Sequence, residues 1–204
     1  MQDRFDIIRS YCAKKRCLDI GTVGDLNHHI RQPEKWLFAH IKSVGADVIG
    51  LDLNKEAVDE ARELGFSQIY HGNAETHVFD SKFDVITAGE VIEHLNNPGQ
   101  FLVNVRRNLG RDGLIILTTP NAYAFNNITR AVAGLSVKVF HEHTFTFDIA
   151  HLRCLLKNSG YEVVAHYYCT EKVPGIKNFV LRLAGMINRR WGDCLVVVAR
   201  PCKY

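Results

Sequence analysis

The chain has 204 residues, 47% of them hydrophobic and 23% charged, with 25 Lys and Arg against 22 Asp and Glu for a formal net charge of +3. A chain of that size can bury a core as one domain without staples, and charge so near balance neither requires nor excludes a nucleic-acid partner. No apolar run approaches the ~18 residues of a membrane span, the first residues lack the basic-then-apolar order of a secretion signal, and six cysteines without a C-x-x-C pair read as reduced thiols, so a soluble, cytoplasmic protein with no integral membrane segment is expected.

Short branched apolar runs alternate with segments of helical period. That pattern predicts a Rossmann-like α/β fold, a doubly wound, mostly parallel sheet of seven strands with helices on both faces, over a single domain of residues 1–204. Strands are expected at 16–20, 47–51, 68–71, 83–87, 114–118, 162–169 and 194–199. The long segment before the last strand leaves the pairing of the last two strands open to either direction.

The first strand runs into Asp19-Ile-Gly-Thr-Val-Gly24, where Gly21 and Gly24 let the chain bend and present its amides to a ligand. The second strand ends at Asp52, an acid that a βαβ unit brings beside that turn and that can accept hydrogen bonds from ribose hydroxyls. A nucleoside pocket follows, for which NAD, FAD and S-adenosylmethionine all qualify. A dinucleotide site calls for a third glycine, and here the chain reads Asp25-Leu-Asn-His-His29. The absent glycine and the added acid disfavour a pyrophosphate, and with it an NAD-linked oxidoreductase. A phosphate-free cation suits Asp19, Asp25 and Glu90 better.

Asp52 follows Asp19 by 33 residues, where a dinucleotide fingerprint places its acid about 20 residues beyond the glycines. The surplus is an insertion at about 25–36 carrying His28, His29, Arg31, Pro33 and Trp36, either a wall of the site or a solvated loop over a packed Trp36. A helix is expected from Asn54 to about Gly65. Beyond the fourth strand, one helical turn over 88–95 would put Glu90, Glu93 and His94 on a shared face at i, i+3 and i+4. The next helix has Asn97 as cap, Pro98 in its first turn, Phe101, Leu102, Val105 and Leu109 as its apolar stripe, and Gly110 as its end. A second polar cluster, His141-Glu142-His143, precedes a helix over 149–158. Finally, 172–191 holds five basic residues and no acid, with apolar residues at near-helical spacing. That segment reads as a cover over the sheet or the substrate pocket, or as a peripheral membrane contact.

Leu18-Asp-Ile-Gly21, Asp52, Gly72-Asn-Ala-Glu75, Phe83-Asp-Val-Ile86, Glu90-Val-Ile-Glu-His-Leu95, Asn97-Pro98 and Leu117-Thr-Thr-Pro-Asn121 together resemble, in order, the motifs of class I S-adenosylmethionine-dependent methyltransferases of the ubiquinone-biosynthesis-like type. The likeness extends through His141 to Gly160. It implies S-adenosylmethionine as cofactor, with Asp19, Gly21, Thr22 and Gly24 around its methionine part, Asp52 on the ribose, Leu53 beside the adenine, Asn73 and Ala74 reading the adenine amino group, and Glu90 near the sulfonium. Two departures stand out: Asn73 replaces the family's usual acid, and Thr22-Val23 replace a small residue and a glycine.

Methyl transfer needs an aligned nucleophile and exclusion of water. A hydroxyl nucleophile also needs a base, and His94 and His143 are the candidate catalytic residues. The expected acceptor is an oxygen of a small molecule, a lipid-linked intermediate or a glycan sugar. Two other readings stay behind it. Small-RNA 2′-O-methyltransferases hold a divalent metal with a run that Glu90, Glu93, His94 and His143 resemble, although no appended RNA-binding module is seen and no metal ligand is assigned. The third is an S-adenosylmethionine-binding protein without catalysis.

Overall fold

The structure is a computed structural model, and it describes residues 3–24, 26–137, 140–170 and 187–202. In chain order the elements are α1 (Arg4–Cys12), β1 (Arg16–Ile20), α2 (Leu26–Arg31), a 3-10 turn (Pro33–Lys35), α3 (Leu37–Ser43), β2 (Asp47–Asp52), α4 (Lys55–Glu63), β3 (Ile69–His71), β4 (Phe83–Gly89), α5 (Pro98–Arg106), β5 (Leu109–Pro120), α6 (Phe125–Val132), α7 (Ile149–Asn158), β6 (Tyr161–Cys169), a second 3-10 turn (Arg189–Trp191) and β7 (Cys194–Pro201).

Seven strands form one sheet in the order β3-β2-β1-β4-β5-β7-β6. The first five run parallel, and β7 inserts antiparallel between β5 and β6. Strand order reverses between β1 and β4, and an open α/β sheet gathers ligands beyond the strand ends at such a switch point. Central strands are apolar on both faces because helices cover both. Leu195 and Val197 of β7 point into a core shared with Phe101, Leu102, Leu152 and Leu156 of α5 and α7. Val196 and Val198 point into the opposite core, with Ile8, Phe38, Ile41 and Val58 of α1, α3 and α4. The alternation of one strand thus feeds two cores.

The cap expected at Asn97 is present, its side chain accepting from the Gln100 amide, and the side chains of Asn54 and Asp148 cap α4 and α7 by accepting from the amides of Ala57 and His151. One boundary differs. The helix expected to run through Leu109 and end at Gly110 stops at Arg106, because Asn108 turns its side-chain amide to the carbonyls of Phe79 and Ser81. Leu109 then pairs with Phe83 as the first residue of β5. It reaches the same core, but from a strand.

The segment 172–191 lies outside the described residues except for 187–191. All six cysteines are free thiols, and among the described residues no helix is long and apolar enough to cross a membrane.

Candidate functional site

The carboxyl ends of β1, β4 and β5 converge on a cavity of about 290 Å³, lined among others by Arg4, Asp19, Gly21, Thr22, Gly24, Trp36, Glu90 and Thr118. The turn after β1 is held by its own residues. Gly21 has φ +72° and Gly24 φ +48°, and a Cβ on Gly21 would come within 2.5 Å of Val91 Cγ2, so this approach needs glycine. Thr22 and Val23, the departures from the family pattern, are both buried. The Thr22 hydroxyl donates to the Asp19 carbonyl at 2.6 Å, which closes the turn without a glycine there.

Asp52 clamps the turn from the side. Its Oδ2 accepts from the Val23 amide at 2.8 Å and the Gly24 amide at 3.4 Å, and Oδ1 accepts from the Asn54 amide at 2.9 Å. Beside it Leu53 is 67% exposed. Across β3, Asn73 is exposed with its Oδ1 accepting from the Glu75 amide at 2.8 Å, and Ala74 is half-buried with its carbonyl accepting from Asn104 Nδ2. Asp52, Leu53, Asn73 and Ala74 therefore stand outside the cavity lining.

Residues 26–35 form α2 and the first 3-10 turn, and His29, Lys35 and Trp36 line the cavity. Asp25 is outside the described residues. Trp36 is buried, donates from Nε1 to the Thr22 carbonyl at 2.7 Å, and stacks on His29 with centroids 5.8 Å apart. His29 Nδ1 lies 2.8 Å from the Val23 carbonyl. The extra residues thus fasten the carbonyl side of a turn whose amide side Asp52 holds. Trp36→Ala is expected to cost about 3–5 kcal/mol of stability, the range for emptying an aromatic core site, as read by urea denaturation.

Asp19 is buried, accepting from Thr87 Oγ1 at 2.7 Å and Thr22 Oγ1 at 3.3 Å. Burial pushes its carboxyl up to about 7, against those two hydroxyls and with a smaller push from Asp52.

Glu90 is where the expected helical turn fails. Its φ is +54°, the left-handed region that costs an L-residue roughly 1–2 kcal/mol. That conformation sends its side chain into the cavity, where Oε1 accepts from Thr118 Oγ1 at 2.9 Å and pairs with the Arg4 guanidinium at 3.3 Å. Glu93 and His94 lie on the tight turn that follows. The face proposed for Glu90, Glu93 and His94 is therefore divided: Glu90 joins the cavity, and the other two join His143.

This second group is compact. Ligand atoms of Glu93, His94 and His143 all lie within 4.8 Å of one another. The rings of His94 and His143 meet edge to face, centroids 4.6 Å apart. The loop carrying His143 is pinned here because the amides of Thr144 and Phe145 donate to the Glu93 carbonyl at 2.8 and 3.1 Å. Glu93 is only 1% exposed, and neither carboxylate oxygen has a hydrogen-bond partner. Burial, and then repulsion from Glu90, push its carboxyl up to about 8. Burial and the neighbouring His94 hold the His143 imidazole below its ordinary value. A buried carboxylate without donors, facing two imidazoles, fits either a shared proton or a divalent cation.

Sequence reasoning missed the contribution of α1. Arg4, Phe5 and Ile8 line the cavity, and Arg4 meets Glu90 from 86 residues away, a contact no local pattern announces. Thr118 lay within the Leu117-to-Asn121 motif but was given no role.

A switch-point cavity beside a glycine turn, with an acid at the end of β2, agrees with the resemblance to S-adenosylmethionine-dependent methyltransferases. Residues 9–166 match the family model described as a methyltransferase domain, and the chain belongs to that family. It is 34% identical over 125 residues to a Mycolicibacterium smegmatis protein assigned as an S-adenosylmethionine-dependent methyltransferase, covering 60% of this chain but only 46% of that protein. Over 176 residues it is 28% identical to a ubiquinone biosynthesis O-methyltransferase of Azoarcus sp., covering 79% of this chain and 71% of that one. In fold it is similar to the CcbJ methyltransferase of Streptomyces caelestis, with a TM-score of 0.67 at 13% identity over 98% of this chain and 88% of the other.

Proposed function

We propose that the protein transfers the methyl group of S-adenosylmethionine to an oxygen of a small-molecule, lipid-linked or glycan acceptor in the cytoplasm. The observation that carries this reading is the pairing of two sites at one sheet edge: a cavity for a cationic donor, and beside it an imidazole pair able to take a proton. The donor brings a sulfonium, an ammonium and a carboxylate. Asp19 and Glu90 suit the cations, and Arg4, at the same cavity, suits the carboxylate. Asp52 would accept from the ribose hydroxyls, and Leu53, exposed in the structure, would be covered by the adenine.

In the transfer the acceptor oxygen attacks the methyl carbon, the S–CH3 bond breaks as the O–CH3 bond forms, and the electron pair stays on sulfur. The acceptor proton passes to His94 or His143. The lowered pKa of His143 keeps that imidazole neutral near pH 7, ready to accept it. Were a divalent cation present, Glu93, His94 and His143 would hold it, and it would make the acceptor hydroxyl more acidic. That cluster also favours the second reading, metal-dependent 2′-O-methylation of RNA. The cluster lacks Glu90, which pairs with Arg4, so it offers three of the four ligands that reading calls on.

Production of S-adenosylhomocysteine with candidate phenol, glycan and terminal-ribose acceptors tests these readings together. Turnover with any acceptor ends the purely binding role. Failure of magnesium or manganese both to bind and to alter activity on a terminal ribose ends the RNA reading.

Donor binding should also depend on pH. Asp19 is raised from 3.8 to about 7, so between those values the folded protein holds a proton that the unfolded chain releases. The empty protein therefore loses stability as pH rises through that window. A cationic donor needs the ionised carboxylate, so its affinity should fall by up to ~tenfold per unit as pH drops below about 7. Calorimetric titration should show this slope flattened in Asp19→Asn.

A further inference from the structure

Three fully buried side-chain oxygens lack a hydrogen bond among the described residues, and two residues own them. Both carboxylate oxygens of Glu93 are unpaired, and so is the hydroxyl oxygen of Thr119. Folded proteins pair nearly all the polar atoms they bury. A carboxylate in need of a donor and a hydroxyl with a proton to give are complementary orphans, and the fold puts both on one side of the sheet.

Side chains alternate along β5. Thr118 faces the donor cavity, where its hydroxyl donates to Glu90 Oε1. Thr119 faces the other way: it stands opposite Leu195 in the ladder, and Leu195 belongs to the core that also holds Ile92 and Phe147. Glu93 follows Ile92 directly. Burial, and then Glu90, push the Glu93 carboxyl up, and the Thr119 hydroxyl is among the groups that hold it down. Both backbones are held in place, since Thr119 lies on an interior strand paired to Leu195 and the Glu93 carbonyl receives the amides of Thr144 and Phe145. The side-chain ends are left to adjust, and the last torsion of a glutamate is broad.

We infer that Thr119 is a positioning residue of the methyl-transfer site: its hydroxyl donates to one carboxylate oxygen of Glu93 and leaves the other aimed at His94 and His143. Both imidazoles lie within 4.8 Å of that carboxylate. A carboxylate that steadies a protonated imidazole, or shares a cation with it, has to point in one direction, and a hydroxyl donor behind it sets that direction. This deepens the proposed function and rests on it in one respect, that His94 and His143 serve methyl transfer. The contact between Thr119 and Glu93 is tested separately from that role.

The test begins with the full chain carrying 13C at its glutamate side-chain carboxyls, in which Glu93→Gln identifies the Glu93 resonance. Thr119→Val, which keeps the branched shape and removes the hydroxyl, is expected to shift that resonance, and Thr119→Ser to return it towards the parent position. Urea denaturation of Thr119→Val, Glu93→Gln and the double variant gives a second reading: their effects on the unfolding equilibrium should depart from independence by at least ~threefold. With any acceptor that shows turnover, Thr119→Val should lower kcat by about ten- to a hundredfold with the KM for S-adenosylmethionine unchanged, and Thr119→Ser should recover most of it. In the Glu93→Gln background Thr119→Val should lower kcat no further. A Glu93 resonance indifferent to Thr119→Val, together with independent effects on unfolding, overturns the inference. So does a loss of kcat that Thr119→Ser fails to recover, which marks a packing role. Methyl transfer untouched by Thr119→Val defeats this inference and leaves the proposed function standing, whereas a shifted resonance without methyl transfer to any acceptor leaves the contact standing and defeats the proposed function.

Discussion

Replacing Asp52 with alanine is expected to weaken S-adenosylmethionine binding by roughly ten- to a hundredfold, the worth of hydrogen bonds to a charged group. The carboxylate has two tasks. Towards the ligand it would accept from ribose hydroxyls; towards the protein it already accepts from the amides of Val23, Gly24 and Asn54. Alanine removes both, so a stability loss of about 1–3 kcal/mol from the stranded amides should accompany the affinity loss. Asp52→Asn separates the two, since its carbonyl oxygen can still receive the Val23 amide while the charge is gone. Calorimetry for the donor and urea denaturation for the fold should therefore move together in the alanine variant and apart in the asparagine variant. Unchanged donor affinity in Asp52→Ala would remove the ribose role.

His94→Ala and His143→Ala are each expected to lower kcat by about 10²–10⁴, the range for a positioned acid or base, with donor affinity unaltered. The two rings touch, so their effects should not add: the double variant should lose little more than the worse single one. The Glu93→Gln variant tests what joins them. If the trio holds a cation, this variant should lose metal affinity together with activity, whereas a shared proton predicts a loss of activity with no metal effect. Both single variants retaining full turnover would exclude the pair from catalysis.

What the sequence made legible was whatever depends on local periodicity and punctuation. Seven strands, the cap at Asn97, the helix start at Asn54 and the glycine turn were all readable because each is set within a few residues. The end of α5 was misplaced because Leu109 is equally apolar in either role, and the side-chain contacts of Asn108 with residues nearly thirty positions earlier decided between them. Glu90 was grouped with Glu93 and His94 on the assumption of helical spacing. Its left-handed backbone, in contact with Thr118 and Arg4, sends it elsewhere. Arg4 itself carried no signal, since its partner comes from the far side of the sheet's switch point.

The antiparallel insertion of β7 has an evolutionary corollary. Cys169 at the end of β6 and Cys194 at the start of β7 sit opposite each other in the ladder, so β6 ends and β7 begins at the same edge of the sheet. The connecting chain between 170 and 187 can change in length without altering the register of β6 on β7. Exchanging only that connection between homologues should leave donor affinity and thermal unfolding close to the host's.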